Sequence, residues 1–520
     1  MSKVITAEVA ACLVKDNDTL GIGGFVGFGS PEELLIALEE RFKSSGKPGN
    51  ITVFHGAGTG DGKDRGGNHL AQEGLMRRII CAHLGLEPKV SKLIVENKME
   101  AFLIPQGVAS HLLRAAGGKK PGVLTHVGLK TFADPRVEAC KVNQLSRDSG
   151  FEIVSLMDIK GKEYLLYDTV PLDVCFIKGT YADEAGNVTL HKEAVYVDQL
   201  EMATATRNSG GIVIVQVEKV VKTGTLHPQQ VKIPSFLIDH IVIANDFAKN
   251  PQGFHSDTYM PELNGEAKIP LSAIKPIPLD ERKVCGRIGA KFLKEGALVN
   301  LGIGVAEAVA AVAAEEGINH RIVLSIESGA VGGVPVGGLG IGATINPDAL
   351  ISQCSNFDIY DGGGIDLAYL GCAQVDKKGN VNVSKFGGRV VGPGGFINIT
   401  QNAKSVFFCG SMTAGKYDIR VGNGKLDIVT DGNKVKFVDE VEQITFSGDY
   451  ARETGQNVYY ITERALFKLT EDGVTLIEVA PGVDIEKDIL GKMEFTPKID
   501  PELKVMDPKI FTDAIMGLEL

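Results

Sequence analysis

No two cysteines in this chain are spaced to work together. The eight (Cys12, Cys81, Cys140, Cys175, Cys285, Cys354, Cys372, Cys409) are scattered singly, with no C-x-x-C and no histidine at metal-ligand spacing. That pattern reads as buried thiols in a reducing compartment. The ten histidines are equally dispersed and no H-E-x-x-H occurs, so no metal site is expected. An excess of positive charge is missing too. Lys and Arg number 54 against 65 Asp and Glu, for a net charge of −11, which excludes the basic footprint that nucleic acid requires. Acidity of the whole chain does not exclude anionic ligands, because a few local amides and cations suffice to hold a phosphate. Long apolar runs are also lacking: Lys3, Glu8, Lys15 and Asp16 break the first segment, and Asn300 and Glu307 interrupt Gly296 to Ala314. A cytoplasmic protein that neither enters a membrane nor binds nucleic acid is therefore expected.

Several motifs fail as well. Gly21 to Gly29 and Gly302 to Glu307 do not place the glycines of G-x-G-x-x-G, and Gly410 to Lys416 ends in Tyr417 where a P-loop needs Ser or Thr. There is no G-x-S-x-G elbow around Ser328 and Gly329. Dinucleotide binding, P-loop chemistry and Ser-His-Asp hydrolysis lose their support.

What is present is length and glycine: 520 residues, enough for more than one core, with 63 glycines. Strand and helix patterns alternate as in an α/β fold with largely parallel sheets. Thr19 to Gly23 predicts a strand. Ser30, Pro31 and Glu33 then predict the N-cap, first turn and capping-box acid of a helix through Leu38, and Ile51 to Phe54 the next strand. The chain also repeats itself. Asp173, Asp183 and Gly186-Asn187-Val188 recur as Asp366, Asp376 and Gly379-Asn380-Val381 at an offset of 193, each followed by an apolar strand pattern, Ile212 to Val217 and Ser405 to Cys409. Gly21-Ile22-Gly23 returns as Gly302-Ile303-Gly304 at an offset of 281, so the first half carries an insertion of about 88 residues, which includes His55 to Arg136. The proline-rich stretch 250–283 reads as a surface linker. Two related open α/β domains are expected, 1–270 and 271–520.

One segment stands out. Arg321 to Ile326 has the β-branched content of a buried strand and ends at Glu327, where Ser328-Gly329 breaks the pattern. A carboxylate at a strand's carboxyl end sits where open α/β sheets bind ligands, although a solvated acid would look the same. A second Gly-rich region, Tyr360 to Asn398, holds Gly362-Gly363-Gly364 and later Gly392, Gly394 and Gly395. These read either as an oxyanion or anion nest or as structural hairpins.

Taken in order, GGFVGFGSPEEL from Gly23, ENKMEAFLIPQG from Glu96, KGTYADEAGNV from Lys178, ESGAVGGVPVGG from Glu327, the DGGGIDL to GPGGFINIT block, and ITERALF through IEVAPGVD resemble the class I CoA-transferases. The likeness spans nearly the whole chain, and Ser328 with the Gly-Gly-Val-Pro that follows is more similar to the single-chain propionate, lactate or acetate group than to the E-N-G of succinyl-CoA:3-oxoacid transferases. The resemblance implies two α/β domains with the active site between them, and Glu327, in the C-terminal domain, as covalent nucleophile. It implies Val26 with Gly27 and Gly394 with Gly395 as backbone oxyanion stabilisers, and Gln106-Gly107 of the P-Q-G motif lining the CoA or acyl site.

The implied reaction moves CoA from an acyl-CoA to a short-chain acid (propionate, acetate, lactate or butyrate) through a glutamyl-CoA thioester, with ping-pong kinetics. CoA is a substrate, no cofactor is held permanently, and a homo-oligomer such as a tetramer is implied. A carboxylate is already ionised at neutral pH, so it needs no base, but a drier cleft would strip its hydration and keep water from the intermediates. Two other readings stay open: an acyl-CoA hydrolase using the same Glu327, and a non-catalytic ligand-binding protein on a related fold.

Overall fold

The computed structural model describes residues 2–270, 276–302 and 304–520. Ile303 of the second Gly-Ile-Gly and residues 271–275 of the expected linker lie outside the described residues. The chain forms two compact units. The first comprises 1–269, 326–358 and 387–398, and the second comprises 270–325, 359–386 and 399–520. The chain thus passes into the second unit near the expected boundary but returns twice, and Glu327 belongs with the first unit.

The first unit is built on an eight-stranded parallel sheet. Its order is Val4–Ile5, His240–Ile243, Ile212–Val217, Val174–Lys178, Thr19–Ile22, Ile51–His55, Met76–Cys81 and Glu100–Leu103. Val174–Lys178 and Ile51–His55 are buried at every position, as expected for parallel strands covered on both faces. The helix after the first Gly-rich turn runs over Glu32–Ser45. It buries Leu34, Leu35, Ala37 and Leu38 and stops at Gly46, whose φ of +67° lets its amide cap Phe42 at 2.7 Å. The expected cap differs: Pro31 occupies the cap position with no side-chain bond. Ser30 instead accepts the Thr59 hydroxyl at 3.1 Å.

In the second unit the strands run Val323–Ser325, Leu298–Leu301, Leu367–Gly371, Ser405–Cys409, Asn457–Ile461, Ala465–Thr470, Gly473–Val479 and Lys498–Val505. The first five are parallel and Ala465–Thr470 is antiparallel to both its neighbours. Its core stacks Tyr369, Phe407 and Tyr459 at ring separations of 4.6 and 5.1 Å.

The repeat holds atom for atom. The Asp173 carboxylate accepts the Thr19 amide at 2.8 Å, and Asp366 accepts that of Leu298 at 2.8 Å. Asn187 donates its side-chain amide to Asp183 at 2.8 Å, and Asn380 to Asp376 at 2.9 Å. The Gly-Ile-Gly alignment, however, is out by two residues. Gly23 donates to Phe176 O at 2.9 Å and Gly302 to Tyr369 O at 2.7 Å, which makes Gly23, not Gly21, the counterpart of Gly302. The offset there is 279, and the insertion shrinks to about 86 residues. Gly21 corresponds to Asn300 instead, because sheet register, not local identity, defines equivalence.

Candidate active site

Along the first sheet, strands between residues 19 and 103 extend one way from Thr19–Ile22 and those between 174 and 243 extend the other. The edge between Thr19–Ile22 and Val174–Lys178 is therefore a switch point, where the crevice at the strands' carboxyl ends opens to ligand. Gln199 spans it, accepting the Lys178 amide at 3.2 Å and donating to Gly29 O at 2.9 Å.

Beyond Gly23 the chain folds into a tight hairpin closed by Phe25 N to Phe28 O at 2.8 Å and Phe28 N to Phe25 O at 2.9 Å. Val26, at the first turn position, has φ of +57°, a left-handed conformation that a β-branched residue avoids. Such strain costs about 1–3 kcal/mol. Burial of Phe25 and Phe28, each about 1.5–3 kcal/mol, offsets it. Three bonds hold Val26 there: its amide to Gly58 O at 2.7 Å, and its carbonyl to Gly60 N at 2.8 Å and Thr59 Oγ1 at 3.2 Å. Gly27 has no room for a side chain, since a Cβ would stand 2.3 Å from the Phe254 nitrogen.

Gln106 opens the helix Gln106–Gly117, which follows strand Glu100–Leu103 in the first-half insertion. Its backbone amide donates to Gly394 O at 3.0 Å, and the Gly107 amide donates to Asn398 Oδ1 at 3.0 Å. The insertion thus meets the second Gly-rich region directly. The Gln106 side chain donates to Gln353 Oε1 at 2.9 Å.

Glu327 stands in a turn just past Val323–Ser325, shorter than the expected strand, and is half-buried. Gly329 N donates to Ile326 O, and Ile326 N to Ala330 O, both at 2.9 Å. Gly329 takes φ of +107° with Ile351 O so close that a Cβ would lie 2.0 Å from it. The turn is tied on two sides. Asn356 donates to Ile326 O at 2.9 Å from the helix Gln353–Asp361 that also carries Gln353. Ser328 donates to Gly342 O at 2.5 Å, and Gly342 lies against the Phe25 ring. Ala330 shares one apolar cluster with Phe25, Val26 and Phe28. The fold thus links the elements bearing Glu327, Val26, Gly27, Gln106, Gly107, Gly394 and Gly395.

The expected oxyanion donors divide. The amides of Val26 and Gly394 are already committed, to Gly58 O at 2.7 Å and Ala82 O at 2.9 Å. Those of Gly27 and Gly395 donate to no group among the described residues. Gly363 and Gly364 do not form a nest, because their amides cap the preceding helix at Tyr360 O and Ile359 O, both at 2.9 Å.

A chain 44% identical over 528 residues, covering 100% of this sequence and 99% of its own, is a caffeate CoA-transferase of Acetobacterium woodii. The chain belongs to the coenzyme A transferase family. The family model described as Coenzyme A transferase matches residues 4–244. An acetate CoA-transferase of Escherichia coli, YdiF, is 42% identical over 520 residues, covering 99% of this chain and 96% of that protein. The crystal structure of the YdiF apoenzyme superposes with a TM-score of 0.95 at 40% identity, covering 100% and 98% of the two chains. The activity is CoA transfer between an acyl-CoA and a carboxylic acid.

In this transferase several site residues carried no sequence signal. His83 lies beside Gly394, and the protein around it pushes its imidazole down to about 4, so the ring is neutral at physiological pH. Gln353, Ser110 and Asp198 form a buried polar group behind Gln106. Burial, then the nearby Glu201, pushes the Asp198 carboxyl up to about 8. Only the chain's tertiary path brings these residues together, and no spacing rule joins 106, 198 and 353. Among the described residues no cluster of His, Cys, Asp or Glu could hold a metal, and no helix is long and apolar enough to cross a membrane.

Proposed function

We propose that Glu327 is the nucleophile of this CoA-transferase. A Glu327 oxygen attacks the thioester carbonyl of the donor, the C–S bond breaks, and CoA leaves as thiolate, giving an acyl-glutamyl anhydride. The thiolate then attacks the glutamyl carbonyl, the donor acid departs as its carboxylate, and CoA remains on Glu327 as a thioester. An acceptor carboxylate attacks that thioester and expels the thiolate. The thiolate takes up the acyl group from the new anhydride, restoring the Glu327 carboxylate. The kinetics are ping-pong and consume neither ATP nor metal.

The observation carrying this reading is the fixed turn at Glu327: Ile326 to Ala330 is closed by its own backbone and anchored through Asn356 and Ser328. Half-buried Glu327 thereby sits on a fixed turn whose Ala330 packs in one apolar cluster with the strained Phe25–Phe28 hairpin. Gly27 and Gly395 supply the backbone donors for the developing oxyanions. YdiF, in a second structure with a TM-score of 0.94, was solved as a thioester complex with CoA, which supports the same intermediate here. The relatives' names, acetate and caffeate, point to monocarboxylic acids. The favoured substrates are the short-chain members acetate, propionate, lactate and butyrate, handled in the cytoplasm by a homo-oligomer.

The test is to incubate the enzyme with acetyl-CoA and no acceptor, then digest and map adducts by mass spectrometry. A CoA mass on the Glu327 peptide, absent in Glu327→Gln, is expected. An unmodified Glu327 in an enzyme still exchanging CoA would sink the mechanism. Loss of CoA at a rate indifferent to added acetate would make the enzyme a hydrolase.

A further inference from the structure

Behind Gln106 runs a chain of buried side chains with one direction. Asp198 Oδ2 receives two donors, the Ser110 hydroxyl at 2.8 Å and the Gln353 amide nitrogen at 2.6 Å. The same Gln353 nitrogen donates to Ser110 Oγ at 2.7 Å, so both of its hydrogens are used. With its NH2 committed to Asp198 and Ser110, Gln353 must turn Oε1 the other way, where it accepts Gln106 Nε2 at 2.9 Å. Gln106 in turn has its Oε1 directed away from Gln353. That oxygen accepts nothing among the described residues and lies 3.6 Å from where a side chain on Gly394 would begin. All four residues are buried, at 2% exposure or less.

We infer that Asp198 is a positioning residue: through Gln353 it fixes which end of the Gln106 amide faces the reaction cleft, so that the site offers a hydrogen-bond acceptor to an N–H or O–H of the substrate. The inference rests on Gln106 lining the CoA or acyl site, as proposed above. A terminal amide without such a partner turns over at little cost, and would present oxygen and nitrogen indiscriminately. Asp198 Oδ1 is buried with no side-chain partner among the described residues, and the Cys354 backbone also acts on the carboxyl; with any proton carried on Oδ1, Oδ2 remains the acceptor that orients Gln353. The substrate donor has two sources, the amides of the CoA arm or a hydroxyl on the acid.

A double-mutant cycle tests this, using kcat/KM for exchange from acetyl-CoA to propionate and, in parallel, to lactate. In Asp198→Asn the new carboxamide either presents its NH2 to Gln353, reversing the chain, or buries that NH2 without an acceptor. The expected loss with at least one acid is about tenfold in the wild-type background and about twofold at most in Gln106→Ala. A loss common to both acids assigns the donor to the CoA arm, and one confined to lactate assigns it to the acid's hydroxyl. Equal losses with and without Gln106 would overturn the inference, since a merely structural Asp198 acts regardless of Gln106. If Asp198→Asn fails to fold, Ser110→Ala is carried through the same cycle and judged by the same criterion. The adduct on Glu327 is measured alongside. Its absence in the wild type defeats the covalent mechanism and leaves the cycle standing, whereas its presence with additive losses defeats only the role of Asp198.

Discussion

The turn after Thr19–Ile22 and the turn after Leu298–Leu301 begin alike and then part. Each starts with a glycine amide bonded to the neighbouring strand, Gly23 to Phe176 O and Gly302 to Tyr369 O. In the first unit the chain then enters the Phe25–Phe28 hairpin with Val26 strained at φ +57°. In the second, residues 304–307 make a single 3₁₀ turn that runs straight into the helix Ala308–Glu315. The shared atoms are those that a parallel sheet needs to continue. Among the described residues of the two turns, the strained side-chain-bearing residue is Val26, on the copy that the insertion has supplied with Gln106, Gly107 and His83. A repeated frame can thus be spent on stability in one copy and on positioning in the other.

Glu327→Gln has the largest expected effect, a loss in kcat of about 10⁴-fold or more with folding intact, checked by steady-state exchange and thermal unfolding. Gly27→Ala comes next: the added methyl is driven onto backbone at Phe254, so kcat/KM should fall about a hundredfold. A rate near wild type would show that the hairpin's geometry does not matter to catalysis.

Gly23→Ala and Gly302→Ala form a matched pair. In the first, a Cβ would stand 2.4 Å from Gln199 Oε1, the group spanning the switch crevice. In the second it meets a Leu370 methyl at 2.9 Å, which can rotate away. Gly23→Ala should lose activity and stability together, and Gly302→Ala only about 1 kcal/mol of stability. Equal activity losses would contradict the division of labour. Val26→Gly relieves backbone strain while deleting a buried side chain, two terms of similar size, so unfolding should shift little while kcat drops.

The smallest effect separates Asp183 from Asp376, which share the bonds from the backbone and side chain of Asn187 and Asn380 and differ in the third, from the Gly186 amide in one and the Lys378 amide in the other. Burial is the largest influence on both. At Asp183 the bonds from Asn187, Gly186 and Ala185 outweigh it and the carboxyl titrates below its ordinary value. At Asp376 burial outweighs the bonds from Asn380 and Lys378 and raises the carboxyl above its ordinary value. Ionised Asp183 therefore adds stability that is lost as pH falls through its lowered folded pKa. Ionised Asp376 subtracts stability, and that burden lifts as pH falls through its raised one. Asp183→Asn should cost more at neutral pH than Asp376→Asn, with the gap closing in acid, as read from unfolding temperatures across that range.

Much of this was legible in the residues. The Asp173/Asp366 and Asp183/Asp376 pairs announced the repeat because each carboxylate bonds backbone only a few residues or one strand away, so the motif must recur intact. Glu327 was legible as an acid at a strand's end, and ESGAVGGVPVGG with its companion motifs tied it to the transferases. Other features were not. Gly21 looked like the partner of Gly302, yet register made Gly23 the partner. Val26 with Gly27 and Gly394 with Gly395 all looked like donors, yet among the described residues the amides of Val26 and Gly394 are spent on Gly58 O and Ala82 O while those of Gly27 and Gly395 are not, because whether an amide is spent depends on which distant carbonyl packs against it.

Sequence alone determined the α/β class and the internal repeat, since periodicity, turn chemistry and short-range hydrogen bonds are written in neighbouring residues, and the resemblance of its ordered motifs pointed to the transferase family. Tertiary structure alone decided that the segment carrying Glu327 joins the first unit, that Val26 is strained, and that Asp198 and Gln353 stand behind Gln106. Those outcomes depend on burial and on contacts between residues as distant as the 247 positions that separate Gln106 from Gln353 and the 291 between Gly107 and Asn398, which no local pattern encodes.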